Sequence, residues 1–392
     1  MQLLLLINSL LILALILGLF SYVRKQRLRM IQAFNHLKLE WEEKAGGASF
    51  PGSAHHARLQ QSIRRRWRKR AVARLKKDEA SDQLAEITLV IPTHNRHSRL
   101  ERSLSYYGRW NIKILVLDST SVPYAKGIPG LVNYLHLPTL TFAEKASHAM
   151  SLVDTPYVLF SADDDFISVK GVLGALAYMR SNPGCASAQG WHAGFVIKNR
   201  MPCWSAGHLF AKSYRVKGEN AAQRLAQQST LYMNNFYALQ RTAAAKDCFC
   251  RVLPAIPKEV FIRRPDLIEM GQAFCSVVWG DHVVLPMFWI GREAMAASLG
   301  HSASPHDDAL QRSDFLMVLA KLGETLKEHF EEADASRCFE EAGQKIEQYG
   351  KSWYAGKIPN AGPVEVFMRK SSDLGALALM DDCIRKHVAL YD

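Results

Sequence analysis

From residue 86 onward, short apolar runs alternate with segments of helical spacing. Four of these runs cover residues 86–92, 112–118, 131–137 and 156–160. Short runs rich in β-branched side chains are typical of buried strands. A helical pattern follows the first run, and another covers residues 142–153. This alternation predicts an α/β fold built on a doubly wound, mostly parallel sheet.

The pattern also divides the chain into four parts. We predict a transmembrane anchor over residues 1–23, a basic juxtamembrane segment and linker over 24–85, an α/β domain over 86–300 and a helical C-terminal appendage over 301–392. The appendage is predicted from apolar residues at helical spacing: Phe315, Leu316, Val318, Leu319, Leu322, Leu326 and Phe330.

Residues 3–23 carry no charge and include ten leucines. As a helix they would span about 31 Å, close to the roughly 30 Å of a hydrocarbon core. A cleaved signal peptide fits less well, since no cationic segment precedes the run and no small-residue cleavage site follows it. Four cations follow within residues 24–29, so the positive-inside rule predicts a single-pass inner-membrane protein with its main domain in the cytoplasm.

The positive charge is concentrated near the N-terminus. The chain has a net charge of +12, but residues 24–77 alone hold 16 Lys or Arg and three Glu. The remainder is close to neutral, which argues against a nucleic-acid groove and predicts no nucleic-acid partner. The basic run at 64–70 is instead predicted to lie on an anionic membrane surface. The chain is 48% hydrophobic, which suits a globular protein.

Polar clusters at residues 93–96, 118–121 and 161–165 follow three of the predicted strands. Ligands of open α/β sheets bind beyond the carboxyl ends of the strands, so these clusters should converge. No glycine-rich phosphate loop follows any strand, which argues against a Rossmann dehydrogenase and a P-loop enzyme.

Three consecutive aspartates, Asp163, Asp164 and Asp165, stand at the end of the fourth run. Burying three like charges together is costly unless a cation neutralises them. Oxygen ligands suit Mg²⁺ or Mn²⁺, so a hard divalent ion is predicted here. The alternative is an acidic helix N-cap, for which one aspartate would be enough.

These residues together resemble a known family. The strings Ile-Pro-Thr-His-Asn-Arg (91–96), Val-Leu-Asp-Ser-Thr-Ser (116–121) and Phe-Ser-Ala-Asp-Asp-Asp-Phe (160–166) are similar to those of the GT-A nucleotide-sugar glycosyltransferases of the family-2 type. The last string, with Asn-Phe-Tyr-Ala-Leu-Gln-Arg at 235–241, resembles a bacterial subgroup with an Asp-Asp-Asp-Phe signature. The resemblance covers roughly residues 86–295 and implies a GT-A-like fold for the 86–300 domain.

The resemblance also implies roles for single residues. Those that would bind a nucleotide-diphosphate sugar are Pro92, Thr93 and Asn95 around the nucleoside, Asp118 on the base or ribose, and Asp163 and Asp164. Asp163 and Asp165 match the Asp-x-Asp pair, so both would belong to the metal site. Its third ligand would come from a C-terminal loop, where His301 and His306 are the candidates.

An inverting transfer needs a base for the acceptor hydroxyl. In the family it belongs to a Glu-Asp pair, with a glycine 11 residues beyond the Asp and a strand after it. Glu269 stands 11 residues before Gly280 and so takes the Asp position, although residue 268 is Ile and the acidic pair is missing. Asp266 and Asp281 remain alternatives for the base. Glu269 would otherwise be a surface glutamate of its helix without a catalytic role.

The resemblance therefore implies a metal-dependent, inverting glycosyltransferase that moves a sugar to a lipid-linked or surface-glycan acceptor. Residues 178–265 would form the acceptor side, where Gly190, Trp191 and Tyr237 either contact a sugar or belong to the core. Two alternatives stay open. A sugar nucleotidyltransferase would carry a glycine-rich loop after the first strand, and residues 93–98 contain no glycine. A non-catalytic membrane scaffold would explain the missing acidic neighbour of Glu269.

Overall fold

The computed structural model describes residues 82–128, 130–198, 201–205, 213–230, 232, 234–293, 309–331, 333–354 and 374–387. The strands in these ranges are β1 (Ile87–Thr93), β2 (Lys113–Asp118), β3 (Val132–His136), β4 (Tyr157–Phe160), β5 (Phe166–Ile167), β6 (Cys185–Lys198), β7 (Met201–Ser205), β8 (Tyr214–Val216), β9 (Leu239–Arg241) and β10 (Asp281–Glu293). The α-helices are α1 (His97–Tyr107), α2 (Phe142–Leu152), α3 (Val169–Ser181), α4 (Ala221–Thr230), α5 (Thr242–Asp247), α6 (Lys258–Arg263), α7 (Asp266–Trp279), α8 (Ala309–Thr325), α9 (Ala335–Tyr354) and α10 (Leu374–His387).

The strands form one sheet in the order β3-β2-β1-β4-β9-β6-β10-β5, with β7 beside β6 and β8 beside β10. The first four strands are parallel, as predicted. β9 is antiparallel to both β4 and β6, and β5, β7 and β8 also pair antiparallel. The prediction of a mostly parallel sheet is therefore wrong, and the sheet is mixed. The second half of the sheet differs from the prediction because it includes short strands, such as β7, which follows β6 without a crossover helix. Antiparallel pairing permits such short connections, whereas parallel pairing does not.

The register decides which residues share an edge of the sheet. Thr93 pairs with Asp118 across β1 and β2, and Val90 pairs with Phe160 across β1 and β4. β10 runs parallel to β6 and in the same direction as β1, so it ends with Glu293 at the edge where β1, β2 and β4 also end. We call this the carboxyl edge. Asp281, at the start of β10, lies at the opposite edge.

Helix α1 fastens the segment after β4 to the domain. The rings of Tyr106, Tyr107 and Trp110 pack edge to face with centroids 4.9 to 5.1 Å apart. The Tyr107 hydroxyl accepts a hydrogen bond from the main-chain N–H of Ile167 at 2.9 Å. Both tyrosines are buried. Because buried aromatic pairs contribute packing as well as hydrogen bonding, this cluster holds the 161–167 segment against the helix.

The region after residue 305 is helical in the described residues and packs on the α/β domain. Arg263 on α6 pairs with the buried Asp314 on α8 at 2.6 Å. Asp381 on α10 accepts a hydrogen bond from the indole of Trp204 on β7 at 2.7 Å. α10 also packs against α1. The C-terminal helices therefore cover the α/β domain with buried polar contacts.

No helix in the described ranges combines the length and the apolar character that crossing a bilayer requires. α9 has 20 residues but carries several charges, and the apolar α7 has 14 residues, about 21 Å against the roughly 30 Å of a hydrocarbon core. This finding corrects the predictions of a transmembrane helix and of a single-pass inner-membrane location. Residues 3–23, to which that helix was assigned, and the basic run at 64–70 lie outside the described residues.

Gly190 on β6 marks a close approach of two backbones. A Cβ at this position would lie 2.4 Å from the carbonyl oxygen of Met287 on β10. A Cβ at Gly184, just before β6, would meet nothing within 4 Å. We expect Gly190→Ala to lower the free energy of unfolding by about 1–3 kcal/mol, the usual cost of overpacking. Gly184→Ala should change it by less than about 0.5 kcal/mol.

Denaturant unfolding of both variants beside the wild type measures this difference. Equal midpoints for the two variants would show that β6 and β10 can separate at Gly190 without cost.

Candidate functional site

The three aspartates lie in the turn between β4 and β5, at the carboxyl edge. Asp163 and Asp165 are each 2% exposed, and Asp164 is 8% exposed. Thr93 donates its hydroxyl to Oδ2 of Asp163 at 2.7 Å. Arg96 donates Nη1 to Oδ1 of Asp163 at 3.4 Å and to Oδ2 of Asp164 at 3.0 Å. The loop after β1 thus supplies one hydroxyl and one cation to the aspartates.

Asp165 is held from the other side by the end of β10. Its Oδ1 accepts the main-chain N–H of Glu293 at 3.1 Å, and its Oδ2 accepts Nε of Arg292 at 3.3 Å. Glu293 itself pairs with the buried Arg102 of α1 at 2.7 Å. Both carboxylate oxygens of Asp165 therefore have donors from β10.

Helix α1 also holds the backbone of the aspartates. Ser103 donates its hydroxyl to the carbonyl of Asp163 at 2.6 Å, and Arg102 donates to the carbonyl of Asp164 at 2.8 Å. With both carbonyls bound to α1, the backbone of the turn has little freedom to move. A buried hydrogen-bonded network of this kind favours a single arrangement of the carboxylates.

Burial and the neighbouring charge of Asp164 make the carboxylates of Asp163 and Asp165 hard to ionise. Burial raises the pKa of Asp163 to about 6, the charge of Asp164 adds to the rise, and Thr93 and Arg96 oppose it. Burial likewise raises the pKa of Asp165, against the attraction of Arg292. The two arginines, together with hydrogen bonds from Thr93 and from the N–H of Glu293, favour the charged form of Asp163 and Asp165.

Asp118, at the end of β2, is fully buried and accepts three hydrogen bonds. The donors are the main-chain N–H of Thr120 at 2.8 Å and the Tyr134 hydroxyl at 2.7 Å, while His97 contacts Oδ2 through Nε2 at 2.6 Å. Burial opposes ionisation, but these hydrogen bonds outweigh it and lower the pKa of Asp118. Asp118 is therefore an ionised acceptor at the carboxyl edge.

The loop after β1 is tied to the loop after β2. Asn95 has φ of 54°, in the left-handed region that asparagine tolerates better than most residues. Its main-chain N–H donates to the Thr120 hydroxyl at 2.9 Å. Pro92 lies half-buried within β1, next to Thr93. The structure thus brings Pro92, Thr93, Asn95 and Asp118 to one edge, together with the aspartates.

Lys145 is a buried cation that the sequence analysis missed. It lies in the first turns of α2, whose start is fixed by a capping box between Thr141 and Glu144. Its Nζ donates to the Ser119 hydroxyl at 2.8 Å and to the carbonyl of Thr93 at 3.2 Å. A single lysine within a helical pattern gives no signal of this role. In the structure it joins the ends of β1 and β2.

Glu269 lies in the first turn of α7, and its charge interacts with that of Arg292, which binds Asp165. Asn234 donates its side-chain amide to Oε2 of Glu269. Burial raises the pKa of Glu269, while Arg292 and the Asn234 hydrogen bond oppose the rise. Asp165 and Glu269 both raise the pKa of Arg292, which places the guanidinium within the electrostatic reach of both carboxylates. Sequence reasoning also missed Arg292 and Asn234.

The other two base candidates are placed differently. Asp266 is paired with the neighbouring Arg264, whose Nε lies 2.8 Å from Oδ1. Asp281 pairs in register with Cys185 at the edge of the sheet opposite the aspartates. Trp191 and Tyr237, predicted on the acceptor side or in the core, are buried core residues. Of the three acids, Glu269 is the one that Arg292 connects to the aspartate cluster.

The described residues do not assemble the predicted metal site. They contain no group of three His, Cys, Asp or Glu side chains placed to hold a metal ion. Each carboxylate oxygen of Asp163 and Asp165 already has a protein donor. His301 and His306 lie outside the described residues. The described residues therefore do not by themselves assemble a ligand set for Mg²⁺ or Mn²⁺.

Comparison with known proteins gives a distant likeness. No protein-family model matches the chain, and no curated protein matches it. Three solved structures that resemble it are of S. aureus TarS 1–349. TarS 1–349 itself has a TM-score of 0.38 and 12% identity, and the match covers 69% of this chain and 91% of that chain. Its complex with UDP has a TM-score of 0.43 and 14% identity, with 78% of this chain and 90% of that chain covered. Its complex with UDP-GlcNAc has a TM-score of 0.40 and 17% identity, with 78% of this chain and 91% of that chain covered. Since each TM-score lies below 0.5, the functional argument rests on the site's own residues.

The buried Lys145 generates a prediction about stability and pH. Burial lowers the pKa of Lys145 to about 8, and an unfolded lysine titrates near 10.4. Between these values the unfolded chain binds more protons, so the stability of the wild type should rise with pH. Asp118 and Asp163 are the charged groups that oppose the shift. Relative to Lys145→Met, the wild type should gain up to about 3 kcal/mol from pH 8 to pH 10.4.

Denaturant unfolding of both proteins across this pH range measures the gain. Lys258→Met removes an exposed lysine and is the matched control, for which the difference from wild type should stay constant. If both variants tracked the wild type in parallel, Lys145 would not be a buried titrating group.

Proposed function

We propose that this protein is a glycosyltransferase that moves a sugar from a nucleotide-diphosphate donor to a glycan hydroxyl. One observation carries the proposal: Thr93, Asp118 and the three aspartates meet at the carboxyl edge, where Arg292 binds Asp165 and its charge also interacts with that of Glu269. Ligands of α/β sheets bind at this edge. The resemblance of the same strings to family-2 glycosyltransferases supports the same conclusion.

The nucleoside would bind at the ends of β1 and β2. Asp118 is ionised and buried, and its oxygens are suited to accept a hydrogen bond from a base N–H or a ribose hydroxyl. Pro92, Thr93 and Asn95 line the same end of the sheet and would shape the nucleoside site. The diphosphate would then extend toward Asp163, Asp164 and Asp165, where the arginines stand.

Glu269 would act as the base of an inverting transfer. It would take the proton of the acceptor hydroxyl while the acceptor oxygen attacks the anomeric carbon of the donor sugar. Burial raises the pKa of Glu269, and a raised pKa makes a carboxylate a better proton acceptor near neutral pH. The acceptor would be a glycan hydroxyl, on a lipid-linked or a surface glycan. We assign no step of this reaction to a divalent cation.

Donor binding is tested first. Titration calorimetry with UDP, GDP, ADP, CDP and dTDP should find at least one ligand, and the corresponding nucleotide sugars should be slowly hydrolysed. Asp118→Asn should weaken that ligand about tenfold or more, because it removes a charge-assisted hydrogen bond in a buried site. Asp154→Asn is the matched control, since the Asp154 side chain is exposed and paired with Lys113 away from the carboxyl edge.

A thermal melt of Asp118→Asn separates lost binding from lost folding. If the folded wild type bound none of the five diphosphates and hydrolysed none of their sugars, the proposed function would be wrong.

The base is tested by Glu269→Gln, which keeps the size of the side chain but cannot accept a proton. Turnover should fall roughly a hundredfold or more, and the donor dissociation constant should hardly change. Asp266→Asn and Asp281→Asn are matched controls, because Asp266 is paired with Arg264 and Asp281 lies at the opposite edge. Steady-state transfer rates with each variant measure this. Normal turnover in Glu269→Gln with a loss in Asp266→Asn would move the base to Asp266.

A further inference from the structure

Arg292 touches the aspartates and yet is open to solvent. Its Nε donates to Asp165, and its guanidinium carbon lies 4.9 Å from the centre of the Tyr237 ring. Despite these contacts, 45% of the side chain is exposed, whereas 3% of the Asp165 side chain is exposed. A cation held in place on two sides and exposed on a third can bind an anion without first moving.

Arg96 has the matching position on the other side of the aspartate turn. It donates Nη1 to Asp163 and Asp164, and 28% of its side chain is exposed. Within the ranges that the structure describes, Nη1 and Nη2 of Arg292, and Nε and Nη2 of Arg96, have no protein partner. Guanidinium groups with spare donors bind phosphate oxygens in pairs.

We propose that Arg292 binds the diphosphate of the donor directly and supplies the positive charge that the leaving group needs, with Arg96 as a second cation at the aspartate turn. This inference rests on the proposed function. In the transfer, the bond between the sugar anomeric carbon and the β-phosphate oxygen breaks, and its electron pair stays on that oxygen. The acceptor oxygen forms the new bond to the anomeric carbon, and its proton passes to Glu269. Arg292 stabilises the charge that appears on the diphosphate.

The contacts of Asp165 explain why an arginine takes this task. A divalent cation at Asp165 would have to bind beside the Arg292 guanidinium at Oδ2 and the Glu293 N–H at Oδ1, and the positive charge of Arg292 would repel it. Arg292 and a metal ion therefore compete for this carboxylate. The Nε of Arg292 holds its guanidinium against Asp165, so this charge lies beside the predicted donor-binding acids.

The test compares a diphosphate with its parent nucleoside. Calorimetry on the full chain uses whichever of UDP, GDP, ADP, CDP and dTDP binds, then the matching nucleoside, each in EDTA and each with Mn²⁺. We expect the wild type to bind the diphosphate in EDTA. Arg292→Gln should weaken the diphosphate about tenfold or more and leave the nucleoside unchanged. The diphosphate affinity of Arg292→Lys should lie between those of the wild type and Arg292→Gln, because lysine keeps the charge but lacks the planar guanidinium.

Arg337→Gln, which removes an exposed arginine of α9, is the matched control and should bind like the wild type. Wild-type binding that disappears in EDTA and returns with Mn²⁺ would overturn the role of Arg292 and leave the glycosyltransferase proposal standing. The same conclusion would follow if Arg292→Gln weakened the binding of nucleoside and diphosphate equally. If no diphosphate bound the wild type with or without Mn²⁺, the proposed function itself would fall.

Discussion

Three adjacent carboxylates buried in one turn are the constraint around which this structure is arranged. Taking Asp163, Asp164 and Asp165 out of water while keeping them together costs free energy in every ionisation state but the neutral one. The chain meets this cost with hydrogen bonds from Thr93 and a guanidinium on each side. Helix α1 then holds the backbone carbonyls of the turn. Together these contacts offset the burial and the mutual repulsion of the three carboxylates.

The two guanidinium groups reach the turn from distant parts of the chain. Arg96 follows β1 directly, whereas Arg292 is delivered by the last residues of β10. The pairing of β10 with β6 shifts register between Val284 and Phe288, where the backbone of Met287 approaches Gly190. Bulges of this kind re-aim the side chains that follow them, because side chains alternate between the faces of a sheet. Gly190 therefore affects the site indirectly, because its lack of a side chain lets β10, the strand that carries Arg292, pack closely against β6.

The sequence predicts the first half of the sheet well for a simple physical reason. Each of β1, β2 and β4 is a short apolar run followed by a polar cluster, so both the strand and its end are visible. β6 is different, since it buries Ser187, Gln189 and His192, and these polar residues interrupt the apolar pattern over its first half. β9 has three residues, too few for any periodic pattern. These two strands take part in three of the five antiparallel pairings in the described sheet, and the other two belong to β10.

The site divides in the same way. The convergence of Thr93, Asp118 and the aspartates follows from strand ends that the sequence displays. Arg292 lies 127 residues from Asp165 along the chain, so no local pattern connects the cation with its partner. Three adjacent acids with no basic side chain next to them in the sequence therefore predict a metal ion as the neutralising charge. The role of Glu269 stays a prediction, which rests on its spacing to Gly280 and on the interaction of its charge with that of Arg292.

The contact between α10 and α1 has a consequence for how this fold can be divided. The Cys383 thiol donates to the carbonyl of Arg102 at 3.4 Å, and Arg102 in turn holds the carbonyl of Asp164. The aspartate turn is thus braced, through one helix, by residues more than two hundred positions later in the chain. A fragment that ended at residue 300 would keep every acid of the site and lose the outer support of the helix that aligns them. Recombination between related chains would therefore have to exchange α10 together with α1.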